Sequence, residues 1–210
     1  KSVVLQNYPI GEEIPVATAP PYAQRDNLIA FTGGLTKDRC AVEMVEAMGM
    51  LEPDLQAKFW VVGMLDSEEL LTELGALPGW SRTEFGGYIR HNELYSKLVT
   101  CKIGLATMAP DKYEQDFSAN KIYDYMMAGI PILASPNKTW IQTMDQYKCG
   151  LILRDGSAQA LADGITELLN NPERAEEMGR AGRKAALENF TWEAEEKKLI
   201  ELVHRLIGPP

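Results

Sequence analysis

Asp116-Phe117-Ser118-Ala119-Asn120-Lys121-Ile122-Tyr123-Asp124-Tyr125-Met126-Met127-Ala128-Gly129-Ile130-Pro131-Ile132-Leu133-Ala134-Ser135 is the stretch on which the reading of this chain turns. It passes from a polar loop into a short helical pattern that Gly129 ends, and then almost at once into the apolar run Pro131 to Ala134. A helix delivered directly into a buried strand is half of a βα unit. The same grammar extends in both directions. Strands are expected at Leu28 to Thr32, Phe59 to Gly63, Arg82 to Phe85, Ile103 to Thr107 and Gly150 to Leu153, each bounded by Gly, Pro or polar residues. Between them, spacings such as Ala41, Val45, Met48 and Leu161, Ile165, Leu168, Leu169 place apolar residues on one helix face. Six such strands predict an α/β domain: a doubly wound, Rossmann-like parallel sheet with helices on both faces and a helical C-terminus.

Helix starts agree with this reading. Ser157 is an N-cap residue, Asn171-Pro172 puts proline at a first helical position, and Thr191 precedes a last helix. The expected organisation is a strand and linker over 1–26, a Rossmann-like domain over 27–190 and a C-terminal helix over 191–210. Within the first segment Val3 to Leu5 is apolar, whereas Gly11 to Asp26 carries Pro15, Pro20 and Pro21 and reads as a linker or surface crossing. The chain opens at Lys1 without an initiator methionine, which reads as a fragment, or as a processed or excised domain.

Charge and composition narrow the function. With 210 residues, 45% of them hydrophobic, the chain can bury a sizeable core. Its net charge of −9 argues against nucleic acid, which is bound mainly through Lys and Arg. No apolar run approaches the roughly 18 residues of a membrane span, and the first residues given lack the basic region, apolar stretch and small-residue cleavage site of a signal peptide. Cys40, Cys101 and Cys149 lie among apolar neighbours and read as buried thiols of a reducing compartment, so a cytoplasmic location is expected, with membrane association left to any N-terminal half.

A small phosphate ligand fits these limits, because it needs only directed amides and one or two cations. Two loops offer them. In Phe31-Thr32-Gly33-Gly34-Leu35-Thr36-Lys37-Asp38-Arg39, paired glycines follow a strand and let the backbone approach a ligand; read alone, it is equally a tight turn with solvated cations. In the opening stretch, free amides around Ala119 to Lys121 would receive a diphosphate. Lys121 adds charge, and Asp124 lies one turn on along the same face, suited to sugar or ribose hydroxyls. Read alone, Asp116 and Lys121 are more often ordinary solvated residues. His91 and His204 are too far apart in sequence to suggest a catalytic pair, and no metal-binding cluster is evident.

The combination resembles the retaining GT-B glycosyltransferases, especially the large family numbered four. That family carries Glu, seven residues, Glu, a small-residue turn and a strand of the type Pro-Val-Val-Ala-Ser. Here Asp116, seven residues and Asp124 lead into Ala128-Gly129-Ile130-Pro131-Ile132-Leu133-Ala134-Ser135, with both glutamates shortened to aspartate. Phe31-Thr32-Gly33-Gly34-Leu35 resembles the glycine loop, and Phe59-Trp60-Val61-Val62-Gly63 the second strand. Phe85-Gly86-Gly87-Tyr88-Ile89 resembles the segment near the base, Cys149-Gly150-Leu151 the late strand, and Phe190-Thr191-Trp192-Glu193 the start of the last helix.

The resemblance implies that the chain is the C-terminal, donor-binding half of a GT-B fold, and that 1–26 leads in from a missing N-terminal half. It implies retaining, metal-independent hexosyl transfer without a cofactor, from a UDP- or GDP-linked sugar to an acceptor held by that separate N-terminal domain. Asp124 would hold ribose hydroxyls, Asp116 the donor sugar, and the amides of Asn120 and Lys121 the diphosphate. Tyr88, Ile89 and Arg90 would lie beside the base, with Gly33, Gly34, Ser118 and Ala119 completing the nucleotide site. Arg39 and Lys121 would join Asp116 as catalytic groups. The family's arginine after the loop glycine is Gly34 here and its following lysine is Arg39, a loss for which Lys37, Arg90 or Lys121 would compensate. A non-catalytic nucleotide-sugar-binding domain and a sugar-nucleotide epimerase of the same architecture are the alternative expectations.

Overall fold

The computed structural model describes residues 3–116 and 119–207. Six parallel strands form one sheet in the order β3-β2-β1-β4-β5-β6: β1 Leu28–Thr32, β2 Lys58–Val62, β3 Thr83–Phe85, β4 Ile103–Ala106, β5 Ile132–Ala134 and β6 Gly150–Ile152. Each lies within one residue of the expected bounds. Along the central strands successive side chains enter different cores, as the pleat requires. Ile29, Phe31, Phe59, Val61, Ile103, Leu105 and Leu133 face α1 (Ala41–Met50), α2 (Glu68–Gly75) and α6 (Ala158–Asn170). Leu28, Ala30, Trp60, Val62, Ala106, Ile132 and Ala134 face α3 (His91–Leu98), α4 (Asn120–Ala128) and α5 (Lys138–Tyr147). Burial on both faces is why these strands read as continuous apolar runs.

The strand order reverses between β1 and β4, where two helices leave in opposite directions and a crevice opens beyond the strand ends. Main-chain pairing of β1 with β4 covers only Ile29↔Ile103 and Ala30↔Gly104. Past that point the buried Tyr125 of α4 fills the gap. Its hydroxyl accepts from Thr32 N at 3.0 Å and Thr32 Oγ1 at 3.3 Å, and donates to Leu105 O at 3.2 Å. Its ring lies against Gly104, where a Cβ would collide with it. The other end of α4 is also fixed. Gly129 ends it in a left-handed turn, φ 69°, and α7 (Pro172–Asn189) comes so close that a Cβ on Gly179 would overlap the Gly129 carbonyl. From α7 the Arg183 guanidinium donates to Met127 O.

The expected strand near Val3 to Leu5 does not form. Residues 3–10 carry no regular structure and pair with neither edge strand, and Val4 is exposed. The segment instead runs along α8 (Trp192–Ile207): Gln6 N donates to a Glu195 carboxylate oxygen at 3.2 Å, and Trp192 N donates to Pro9 O at 3.0 Å. Tyr8 stacks edge-on against Tyr123 and Phe190. The proline-containing segment crosses the surface in three 3-10 turns, Gly11–Glu13, Val16–Thr18 and Tyr22–Gln24, anchored by buried Ile14 and Tyr22. All three cysteines are buried thiols. Among the described residues no helix is long and apolar enough to cross a membrane.

Candidate nucleotide site

The loops after β1, β2 and β3 and the start of α4 meet at the β1/β4 crevice. Beyond its last strand residue, β1 continues as Gly33, whose N–H donates to Val62 O at 2.8 Å; Gly63 N in turn donates to Gly87 O at 2.8 Å. Gly63 sits at φ 143°, and a Cβ there would overlap the Gly33 carbonyl, so the two loops touch only because position 63 is glycine. A cavity of about 570 Å³ opens over this contact, bounded by Gly33, Gly34, Val62, Gly63, Met64, Tyr88, Ile89, His91 and Leu94. Its walls are largely apolar, as suits a flat heterocycle. A second cavity of about 370 Å³ shares Thr32, Gly33 and Gly34, and it is closed by Arg39, Ala119, Asn120, Lys121 and Asp124.

This second cavity is built for an anion. Helices α2, α5 and α6 have their first amides capped by Ser67, Asn137 and Ser157 side chains, whereas α4, like α1, α3 and α7, has no side-chain cap, its N-cap residue being Ala119. Asn120 and Lys121, at the start of α4, line the cavity, where the positive end of the helix favours an anion. The Lys121 side chain is buried, with Nζ 3.5 Å from the centroid of the Phe31 ring, and it makes no salt bridge among the described residues. Burial, and then the neighbouring Arg39 guanidinium, push its pKa well below the ordinary lysine value, while Asp124 pulls the other way. Burial likewise lowers Arg39, an effect opposed by Asp38. Burial disfavours the charge on both groups, and an anion in the cavity would favour it.

Asp124 stands at the edge of this cavity. Burial raises its carboxyl to about 6, against the opposing pull of the Tyr95 hydroxyl, His91 and Lys121. Tyr95 OH donates to Oδ1 at 3.1 Å. A carboxylate in this setting gains from further donors, and adjacent hydroxyls of a sugar ring supply two. Among the described residues no three His, Cys, Asp or Glu side chains gather where they could share a metal ion.

The family model for glycosyl transferases group 1 matches residues 19–185. The chain belongs to that family. Among curated proteins it is 32% identical over 76 residues to a GDP-mannose-dependent alpha-(1-6)-phosphatidylinositol monomannoside mannosyltransferase of Mycobacterium tuberculosis, a match covering 36% of this chain and 20% of that protein. It is 22% identical over 188 residues to the alpha-maltose-1-phosphate synthase of Mycolicibacterium smegmatis, covering 85% and 48%. Among solved structures, HepE of Anabaena in complex with UDP superposes with a TM-score of 0.77 at 15% identity, over 97% of this chain and 57% of that one. The C-terminal domain of the group 1 protein LpcC from Francisella tularensis superposes with a TM-score of 0.66 at 18% identity, over 88% and 95%. The fold is thus that of a GT-B C-terminal domain, and the chain spans about half the length of the longer relatives it matches.

Of the residues singled out by sequence, this group 1 domain brings Gly33, Gly34, Arg39, Ala119, Asn120, Lys121 and Asp124 to the anion cavity, and Tyr88 and Ile89 to the apolar one. Three others are elsewhere. Arg90 precedes α3 with an exposed side chain and lines neither cavity, and Asp116 is exposed on the loop before α4 and lines neither. Lys37 is drawn away by a salt bridge to Glu73 at 2.7 Å, so it does not replace the family's missing arginine. Ser118 lies outside the described residues. Conversely, His91, Leu94 and Tyr95 of α3 frame Asp124 and were not expected there; no local pattern marks them, because α3 reaches the site only through tertiary packing.

The raised Asp124 carboxyl links stability to pH. Its folded pKa of about 6 lies above the ordinary unfolded value of about 4, so the folded chain holds that proton more tightly and stability contributed by this group falls as pH rises between the two. Asp124→Asn should therefore be more stable than the parent chain at pH 8 in urea denaturation, with the advantage shrinking as pH falls below about 6 and vanishing by about pH 3, under the unfolded pKa. An advantage of equal size at both would show that the carboxylate is not held against its own charge.

Proposed function

We propose that this domain binds a nucleoside diphosphate sugar and serves as the donor half of a retaining, metal-independent hexosyltransferase. The diphosphate lies on the Asn120 and Lys121 amides, flanked by the Lys121 ammonium and Arg39. The ribose hydroxyls meet Asp124, and the base, uracil or guanine, enters the apolar cavity between Gly33-Gly34 and Ile89. By the family resemblance, Asp116 serves the donor sugar. The observation that carries this reading is the meeting of the α4 start, the Lys121 and Arg39 side chains and the Asp124 carboxylate in one cavity that adjoins an apolar one.

Transfer breaks the bond between the anomeric carbon and the terminal phosphate oxygen, and the bonding electron pair leaves with the diphosphate. Negative charge grows on that oxygen as the bond lengthens, so the amides and cations around it stabilise the transition state more than the ground state. The charge required is supplied by Arg39, Lys121 and the helix dipole, which is the basis for proposing that no metal takes part. The acceptor hydroxyl, held by an N-terminal domain across a cleft, bonds to the anomeric carbon and passes its proton to the departing diphosphate oxygen.

Two outcomes follow. In calorimetry the chain should bind uridine or guanosine diphosphate more tightly than the matching monophosphate. Lys121→Met and Arg39→Gln should each weaken diphosphate binding by about 1 to 3 kcal/mol, the range for a lost charged hydrogen bond. Equal affinity for the two nucleotides would remove the diphosphate from the α4 start. The 210-residue chain should also transfer no sugar by itself, since both reactants must reach attack distance, and rapid transfer to a simple acceptor by this chain would contradict the half-enzyme proposal.

A further inference from the structure

We propose that Tyr95 is a positioning residue that orients the Asp124 carboxylate toward the ribose of the bound nucleotide. This inference rests on the nucleotide-sugar reading of the site and adds to it a residue outside the loops that touch the ligand.

The case begins with what a buried tyrosine hydroxyl ordinarily does. It has one proton and must donate it somewhere. In this chain Tyr22 donates to the Lys102 carbonyl at 2.9 Å and Tyr125 to the Leu105 carbonyl at 3.2 Å, both main-chain acceptors that tie structure together. Tyr95 differs. Buried on α3 with its ring edge-on to His91, centroids 5.7 Å apart, it gives its proton to the side chain of Asp124, a residue at the mouth of the candidate site.

The geometry of an aspartate makes that bond informative. The terminal torsion of the side chain is broad and roughly two-fold, so an unrestrained carboxylate samples a wide range of orientations. Fixing Oδ1 from the α3 side sets the plane of the group and leaves Oδ2, which takes no hydrogen bond from the described residues, for the ligand. The same bond steadies the negative charge in a place where burial opposes it. A group pre-set in this way loses less freedom when two adjacent hydroxyls dock on it, which is how a supporting contact raises affinity without touching ligand.

Tyr95→Phe keeps the ring and its packing and removes only the hydroxyl. The test compares three probes on the parent and variant chains: inorganic pyrophosphate, whichever of uridine or guanosine diphosphate the parent binds more tightly, and the 2′,3′-dideoxy form of that nucleotide. The expected result is roughly tenfold weaker binding of the ribonucleotide by the variant, the scale of one hydrogen bond to a charged group, with pyrophosphate affinity unchanged. The dideoxy nucleotide, already without the hydroxyls, should lose little. A purely structural role for Tyr95 would weaken all three probes alike. If the parent prefers the ribonucleotide and the variant keeps the full preference, Tyr95 does not position Asp124 and the proposal is overturned while the nucleotide reading stands. If the parent binds pyrophosphate and the nucleotides but does not distinguish ribose from dideoxyribose, Asp124 does not meet ribose and the proposal falls with that assignment. If none of the three probes binds the parent, the nucleotide reading itself fails and carries the proposal down with it.

Discussion

At the middle of the sheet two strands stop pairing before they end, and one hydroxyl takes over from the main chain. Thr32 N and the Leu105 carbonyl are buried at the place where β1 and β4 diverge, and buried main-chain groups must find partners. Tyr125 OH serves both, accepting from one and donating to the other. Because Tyr125 is the sixth residue of α4, this contact also fixes how far the start of that helix stands from the Gly33 loop. The width of the anion cavity thus follows from a bond made one and a half turns away. The tight approach of α7 to Gly129 and the Arg183 bond to the Met127 carbonyl close the remaining freedom, holding α4 at its far end.

A frame this rigid can carry groups that are unfavourable by themselves. Lys121 is buried against Phe31, next to Arg39, without a salt bridge among the described residues, and Asp124 keeps a charge that burial disfavours. Each lowers the stability of the empty chain, yet each becomes favourable once an anion and a pair of hydroxyls are present. Strained charges that one ligand satisfies together are a functional signature rather than a packing fault. The apolar cavity beyond Gly33 completes the pattern, since a nucleotide has a charged end, a hydroxylated middle and a flat apolar end in that order.

Much of this was readable in the sequence, for reasons that differ residue by residue. The strands were legible because two-sided burial leaves uninterrupted apolar runs between Gly and polar residues. Lys121 and Asp124 were legible as a pair because three residues along a helix fix their common face. What escaped depends on distant partners. Tyr95 meets Asp124 only because α3 packs on α4, and no local spacing records that. Lys37 looked available to the site, but Glu73, on another helix, holds it. Arg90 follows two residues that face the apolar cavity, yet its own side chain turns to solvent at the start of α3. Val3 to Leu5 had the composition of a strand, and whether a sheet edge would be available to it was not written in those residues.

The central claim is that an anion sits on the uncapped start of α4 between Arg39 and the Gly33 loop. Amide chemical shifts of the isotopically labelled chain, followed while inorganic pyrophosphate is added, report on it at each residue. The account predicts that the largest changes fall on Asn120 and Lys121, with smaller ones at Gly33 and Gly34, and that all saturate together. Saturating changes centred on another helix start, with Asn120 and Lys121 unmoved, would contradict it.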